Sequence, residues 1–150
     1  WGADAANDSS DSVDQRSNAI KEVVAAIKSD RVSRRIIMAT PQPNGSTIDP
    51  LGLTCINVNP RRRDEGGQPV WYIDVIWVWR SVEAIVGLPF SVYGSVRFSE
   101  ELTLAIASQL EGASGDIKLG RVTYLAMSLH MFCHPADLGI ARAIDLGARA

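Results

Sequence analysis

From Val70 to Arg80 the chain alternates, with Trp71, Ile73, Val75, Trp77 and Trp79 on one side and Tyr72, Asp74, Ile76, Val78 and Arg80 on the other. Successive strand side chains point to opposite faces, so this stretch predicts a β-strand with one strongly apolar face. A different spacing governs the N-terminal part. Ile20, Val23, Val24 and Ile27 form a stripe at helical spacing, Ser12-Val13-Asp14-Gln15 reads as a capping box, and the helix should fade near Lys28-Ser29. Ahead of it, residues 1–11 are rich in Ala, Asp, Ser and Asn and read as a flexible arm, leaving residues 12–150 as one domain.

The branched residues of Arg35-Ile36-Ile37-Met38-Ala39 predict a short buried strand, and Leu53 to Val58 predicts the next one. Pro41, Pro43, Asn44-Gly45 and Pro50 mark a long loop between them. The polar run Pro60 to Pro69, with Arg61, Arg62 and Arg63 inside it, reads as a hairpin turn with a solvated tip. Ser99 can cap a helix whose first turn holds Glu100 and Glu101 and whose apolar face carries Leu102, Ile106 and Leu110. Arg121 to Phe132 predicts a further strand, and Pro135 starts a terminal helix through Ala141 and Ile144. The order implies an α+β fold, a mostly antiparallel mixed sheet with helices packed on one face.

Composition adds limits. The chain has 150 residues, 46% of them hydrophobic and 21% charged, which suits one domain with a real core. A formal net charge of −2 gives no broad attraction for nucleic acid or an acidic membrane. No apolar run approaches the roughly 20 residues that span a bilayer, and no secretory signal is visible. Cys55 and Cys133 form neither a disulfide framework nor a metal spacing, so free thiols in the reducing cytoplasm are expected, with no metal site. From a first residue of Trp instead of Met, the chain is expected to be a piece of something longer.

The chemistry concentrates after the alternating strand. Arg80 and Ser81 at a strand end can hold a phosphate or carboxylate through charge-assisted bonds, and Gly87 and Pro89 let a flat group approach the backbone. The run Arg80-Ser81, Glu83, Gly87-Leu88-Pro89-Phe90 resembles thymidylate synthases, and the resemblance extends in order to Ser33-Arg34-Arg35, Cys55 and Leu129-His130-Met131-Phe132. The best fit is to the shorter archaeal and nucleotide-hydroxymethylating branch.

The resemblance implies a thymidylate synthase-like core that acts at carbon 5 of a pyrimidine nucleoside monophosphate (dUMP, dCMP or CMP). Methyl or hydroxymethyl would come from 5,10-methylene-tetrahydrofolate as cosubstrate. Cys55 would be the nucleophile at carbon 6, although strand alternation means that a slip of one position points it away from the pocket. Arg80 and Ser81 would bind the phosphate, joined across a homodimer by Arg34 and Arg35 of the neighbouring subunit. Glu83 would contact base and folate, Gly87 and Phe90 would line the cofactor site, and His130 would face the sugar.

Two departures bear on the substrate. Ser91 stands where uracil-specific members carry an asparagine, and its hydroxyl cannot make the two-bond contact of an amide, so a cytosine base becomes plausible. Phe132 stands where the family has a tyrosine beside the histidine. The resemblance also implies a catalytic glutamate and an arginine loop in a region preceding Trp1. An inactive nucleotide-binding or partner-stabilising module is therefore the alternative. The tryptophan face (Trp71, Trp77, Trp79) is too apolar for water, which favours a dimer unless the chain's own helices cover it.

Overall fold

The computed structural model describes residues 8–39, 52–110, 116–132 and 135–148. In chain order these form α1 (Asp8–Ser29), β1 (Ile37–Ala39), β2 (Leu53–Glu65), β3 (Gln68–Trp79), β4 (Val82–Glu83), α2 (Gly87–Leu110), β5 (Asp116–Ala126), β6 (Leu129–His130) and α3 (Pro135–Ala148). The main sheet runs β1-β2-β3-β5, and β4 pairs with β6 in a second, two-stranded sheet. β1, β2 and β3 are antiparallel neighbours, whereas β3 and β5 are parallel. The architecture is α+β with a mixed sheet, as the residue pattern implies.

Burial follows the periodicities. Val23, Val24 and Ile27 of α1 and Leu102, Ile106 and Leu110 of α2 pack on Ile56, Val58, Ile73, Val75 and Trp77 of the sheet. Each such side chain contributes about 1.5–3 kcal/mol relative to remaining in water. Cross-strand partners share a face, so the opposite side of the sheet carries rows such as Asn57, Ile76 and Thr123, then Cys55, Val78 and Leu125. α1 and α2 therefore cover one face only.

Several boundaries differ from the expectation. α1 begins at Asp8, so residues 8–11 belong to the helix and not to an arm, and residues 1–7 lie outside the described residues. The strand expected to be buried over residues 35–39 is an edge strand of three residues, with Ile37 exposed and Ile36 just before it in the core. The arginine run is strand and not turn: β2 continues through Arg61, Arg62 and Arg63, and the reversal is confined to Gly66 and Gly67, at φ 58° and 83°. Two consecutive left-handed residues match the twist of a two-residue hairpin, and glycine adopts them without a Cβ penalty.

Ser99 does not cap a helix. α2 runs unbroken from Gly87, and Ser99 lies fully buried inside it. The expected strand over residues 121–132 is two strands, because β5 ends at Ala126 and the chain steps across to β6. The loop from Pro41 to Pro50, Cys133 and His134 lie outside the described residues.

The tryptophan face is largely covered by the chain itself. Trp77 is buried beneath α2, donates its indole N–H to Ser99 Oγ at 3.1 Å and meets Phe98 edge-on. That face is therefore not the exposed surface from which a dimer was inferred. Among the described residues no helix is long and apolar enough to cross a membrane.

Candidate functional site

The site is assembled where β3 and β5 end side by side. Parallel pairing brings Trp79 opposite Ala126, so the chain leaves both strands at one edge of the sheet. The two departing segments are then joined by backbone bonds: Met127 N to Trp79 O at 2.8 Å, Val82 N to Ser128 O at 2.9 Å and Ala84 N to His130 O at 2.8 Å. This pairing sets Glu83 opposite His130. Ser81 Oγ lies 3.1 Å from His130 Nδ1, and the His130 and Phe132 rings meet edge-to-face with centroids 5.1 Å apart. Arg80 is exposed at the start of this turn, its backbone N–H donating to Gly52 O at 2.9 Å.

Glu83 closes the start of α2. Its carboxylate accepts the amides of Ile85 at 2.7 Å, Val86 at 2.6 Å and Gly87 at 2.9 Å. These are amides that no intrahelical carbonyl can satisfy at a helix start. The amide of Gly87, then those of Ile85 and Val86, hold the Glu83 carboxyl below its usual range, with His130 adding to the effect. The expected contact of Glu83 with base and folate would compete with this cap. A Cβ on Gly87 would come within 3.3 Å of Glu83 Cβ, tighter than an ordinary contact.

One turn further along, Ser91 Oγ donates within its own helix, 2.7 Å from Gly87 O and 3.1 Å from Leu88 O, and lies 2.8 Å from Tyr124 Oη. Tyr124 stacks on Trp79 with centroids 5.7 Å apart. The indole N–H of Trp79 is enclosed and has no partner among the described residues. Phe90, beside Ser91, is 74% exposed.

The structure thus brings Arg80, Ser81, Glu83, Gly87, Ser91 and His130 to one end of the sheet. Cys55 lies at the same end, level with Val78, but on the side of the sheet away from Ser91 and Tyr124. Cys55 is a free, half-buried thiol in register with Val78 and Ala39, on the same side of β2 as Asn57 and opposite to Ile56 and the helices. A register shift between Leu53 and Cys55 separates it from the start of the strand. The residue that lies against the Arg80-Ser81 turn is Gly52, where a Cβ would stand 3.2 Å from Ser81 O. Arg34 and Arg35 are exposed between α1 and β1. The next residue, Ile36, is bonded to Val58, which is level with Val75 of β3. That places them roughly 16 Å short of Arg80 along the strand direction, far from the cluster within one protomer.

Two residues of the site carry no sequence signal. Tyr124 sits in an ordinary alternating strand, and Gly52 in a run with no motif; only the parallel pairing and the Gly52–Arg80 bond place them here. Among the described residues no group of His, Cys, Asp and Glu could hold a metal ion.

No protein-family model and no curated protein matches the sequence. Among solved structures, the thymidylate synthase of T4 phage superposes with a TM-score of 0.58 at 20% sequence identity, over 83% of this chain. The match spans 38% of the phage chain, so this chain corresponds to well under half of that protein. The fold of the chain is thymidylate synthase-like.

Proposed function

We propose that this chain is the nucleotide-binding part of a thymidylate synthase-like protein and holds a pyrimidine nucleoside monophosphate at the joined ends of β3 and β5. The observation that carries this reading is the 3.1 Å contact between Ser81 and His130, which unites two distant segments next to Arg80 in the chain. Arg80 and Ser81 supply charge-assisted bonds for a phosphate, His130 stands where a sugar hydroxyl would lie, and Ser91 lies on the base side. Arg34 and Arg35 would complete the phosphate site from a second subunit. The sheet face that carries Ile37, Ile76, Val78 and Leu125, uncovered by α1 and α2, is the surface for that homodimer.

Calorimetry with dUMP, dCMP and CMP tests the reading. One charged bond lost from Arg80→Ala is worth about 1.5–3 kcal/mol, a weakening of roughly 10- to 100-fold. Free nucleosides should bind the wild-type chain as weakly as the monophosphates bind this variant. Failure of every monophosphate to bind would remove the proposal.

A second reading is transfer of a one-carbon group from 5,10-methylene-tetrahydrofolate to carbon 5, with Cys55 as nucleophile, Glu83 in base and folate contact, and Gly87 and Phe90 lining the folate site. The register of Cys55 with Val78, on the side of the sheet away from Ser91 and Tyr124, favours binding without covalent attack. Tritium release from carbon 5 in the presence of folate, abolished by Cys55→Ser, would reverse that preference.

A further inference from the structure

The register between β3 and β5 changes once. Ile73 stands opposite Leu119 and Val75 opposite Val122, so Asp74 faces two residues, Gly120 and Arg121, and β5 carries one residue more than its partner. Such a bulge is rare between parallel strands. Side chains alternate along a strand, so an unbroken β5 would put Leu119, Arg121 and Thr123 on one face. The extra residue reverses the alternation: Val122 and Tyr124 join Leu119 against the core, and Arg121 and Thr123 are exposed.

Everything beyond the bulge keeps the new offset. Trp79 is opposite Ala126, Val82 opposite Leu129 and Glu83 opposite His130. With the offset that holds before the bulge, Glu83 would face Leu129 and His130 would slide to Ala84, away from Ser81. Asp74 holds the bulge in place. Its side chain is only 14% exposed; one carboxylate oxygen accepts the amide of Arg121 at 2.8 Å and the other pairs with the Arg61 guanidinium. The carboxylate has room because residue 120 is glycine: a Cβ there would overlap Asp74 Oδ1 and stand 3.2 Å from Ile73 O. Aspartate is disfavoured within strands, and here the bulge amide gives it a partner.

We propose that Asp74 is a positioning residue for the candidate site: by pinning the Gly120–Arg121 bulge it fixes the offset at which His130 meets Ser81. Its effect on ligand affinity rests on the nucleotide-binding reading above; its effect on the contact between Ser81 and His130 does not.

The experiment compares wild type, Asp74→Ala and Asp74→Asn by nuclear magnetic resonance and calorimetry, each well below its melting temperature. The His130 ring signals, identified by their loss in His130→Gln, report the Ser81 contact. They should shift in Asp74→Ala, which leaves the Arg121 amide without its acceptor. They should stay at the wild-type positions in Asp74→Asn, which keeps an accepting oxygen and gives up only the charge. Asp74→Ala should also bind dUMP, dCMP and CMP about 10-fold or more weakly, and Asp74→Asn should recover most of that loss.

An aspartate that merely stabilises the sheet would lower the melting temperature and leave the His130 signals alone. Unmoved signals in a folded Asp74→Ala therefore overturn the inference, as does an Asp74→Asn that shifts them equally. Should wild type bind no monophosphate, the nucleotide reading falls, and the ring signals alone judge Asp74. Should Asp74→Ala fail to fold, exchange of the Arg121 amide in wild type decides: protection supports the pin, and exchange as fast as that of an open strand edge overturns it.

Discussion

Replacing Ser99 by alanine tests the anchoring of α2 to the sheet, and through it the placement of the site. Ser99 is fully buried and accepts the indole proton of Trp77, itself 5% exposed, while its own proton goes to Ser95 O at 2.7 Å. Ser99→Ala leaves the Trp77 N–H enclosed with no acceptor, which costs about 1–3 kcal/mol. Alanine is the better helix former by roughly 0.5 kcal/mol, so the net loss should be about 0.5–2.5 kcal/mol. For a domain of this size each kcal/mol lowers Tm by about 2–4 °C. Trp77→Phe behaves differently: Ser99 keeps its bond to Ser95 and no donor is orphaned, so its loss reflects area and packing. The double variant leaves neither group unpaired and should be more stable than the sum of the single losses predicts. Urea melts of the four proteins, followed by circular dichroism, give the coupling. Additivity within about 0.3–0.5 kcal/mol would show that the bond does not link helix and sheet, and the reasoning would fail.

Glu83 makes stability depend on acid. Its carboxyl is held below the usual range by the amides of Gly87, Ile85 and Val86, so its contribution is present above the unfolded-chain pKa and is lost as pH falls through the lowered folded value. Glu83→Gln should reduce Tm at neutral pH and flatten the acid limb of Tm against pH; parallel curves for the two proteins would contradict the cap. At the hairpin, Gly66→Ala and Gly67→Ala should each cost about 1–2 kcal/mol from backbone conformation alone, because a Cβ at either position meets nothing within 4 Å. Gly94→Ala, equally open but inside α2, should instead gain up to about 1 kcal/mol; denaturant midpoints that rank these variants otherwise would refute the distinction.

The central strand was legible because its alternation is driven by burial: Ile73, Val75 and Trp77 meet the core, and Asp74, Ile76 and Val78 do not. The stripes Val23-Val24-Ile27 and Leu102-Ile106-Leu110 were legible for the same reason. What escaped was polar. A serine bonding back to the carbonyl four residues earlier, as Ser99 does, has the same sequence signature as a cap. The arginines of β2 suit a turn by polarity, yet an edge with one polar face accommodates them: Arg61 pairs with Asp74, and Arg63 lies over the Tyr72 ring. At the site, Arg80, Ser81 and His130 were named from their own residues and motif, but their meeting depends on β3 and β5 running parallel, which no local pattern encodes. Cys55 shows the converse, since its face is decided by an irregularity one residue wide.

The hairpin at Gly66 and Gly67 and the turn at Arg80 lie at opposite ends of β3, a strand of 12 residues and so about 40 Å long. Anything grafted at the glycines, a fluorophore, an affinity handle or a whole guest domain, would project away from the Arg80 end. The molecule therefore offers a built-in attachment point for reporting on or immobilising the protein without touching the candidate site.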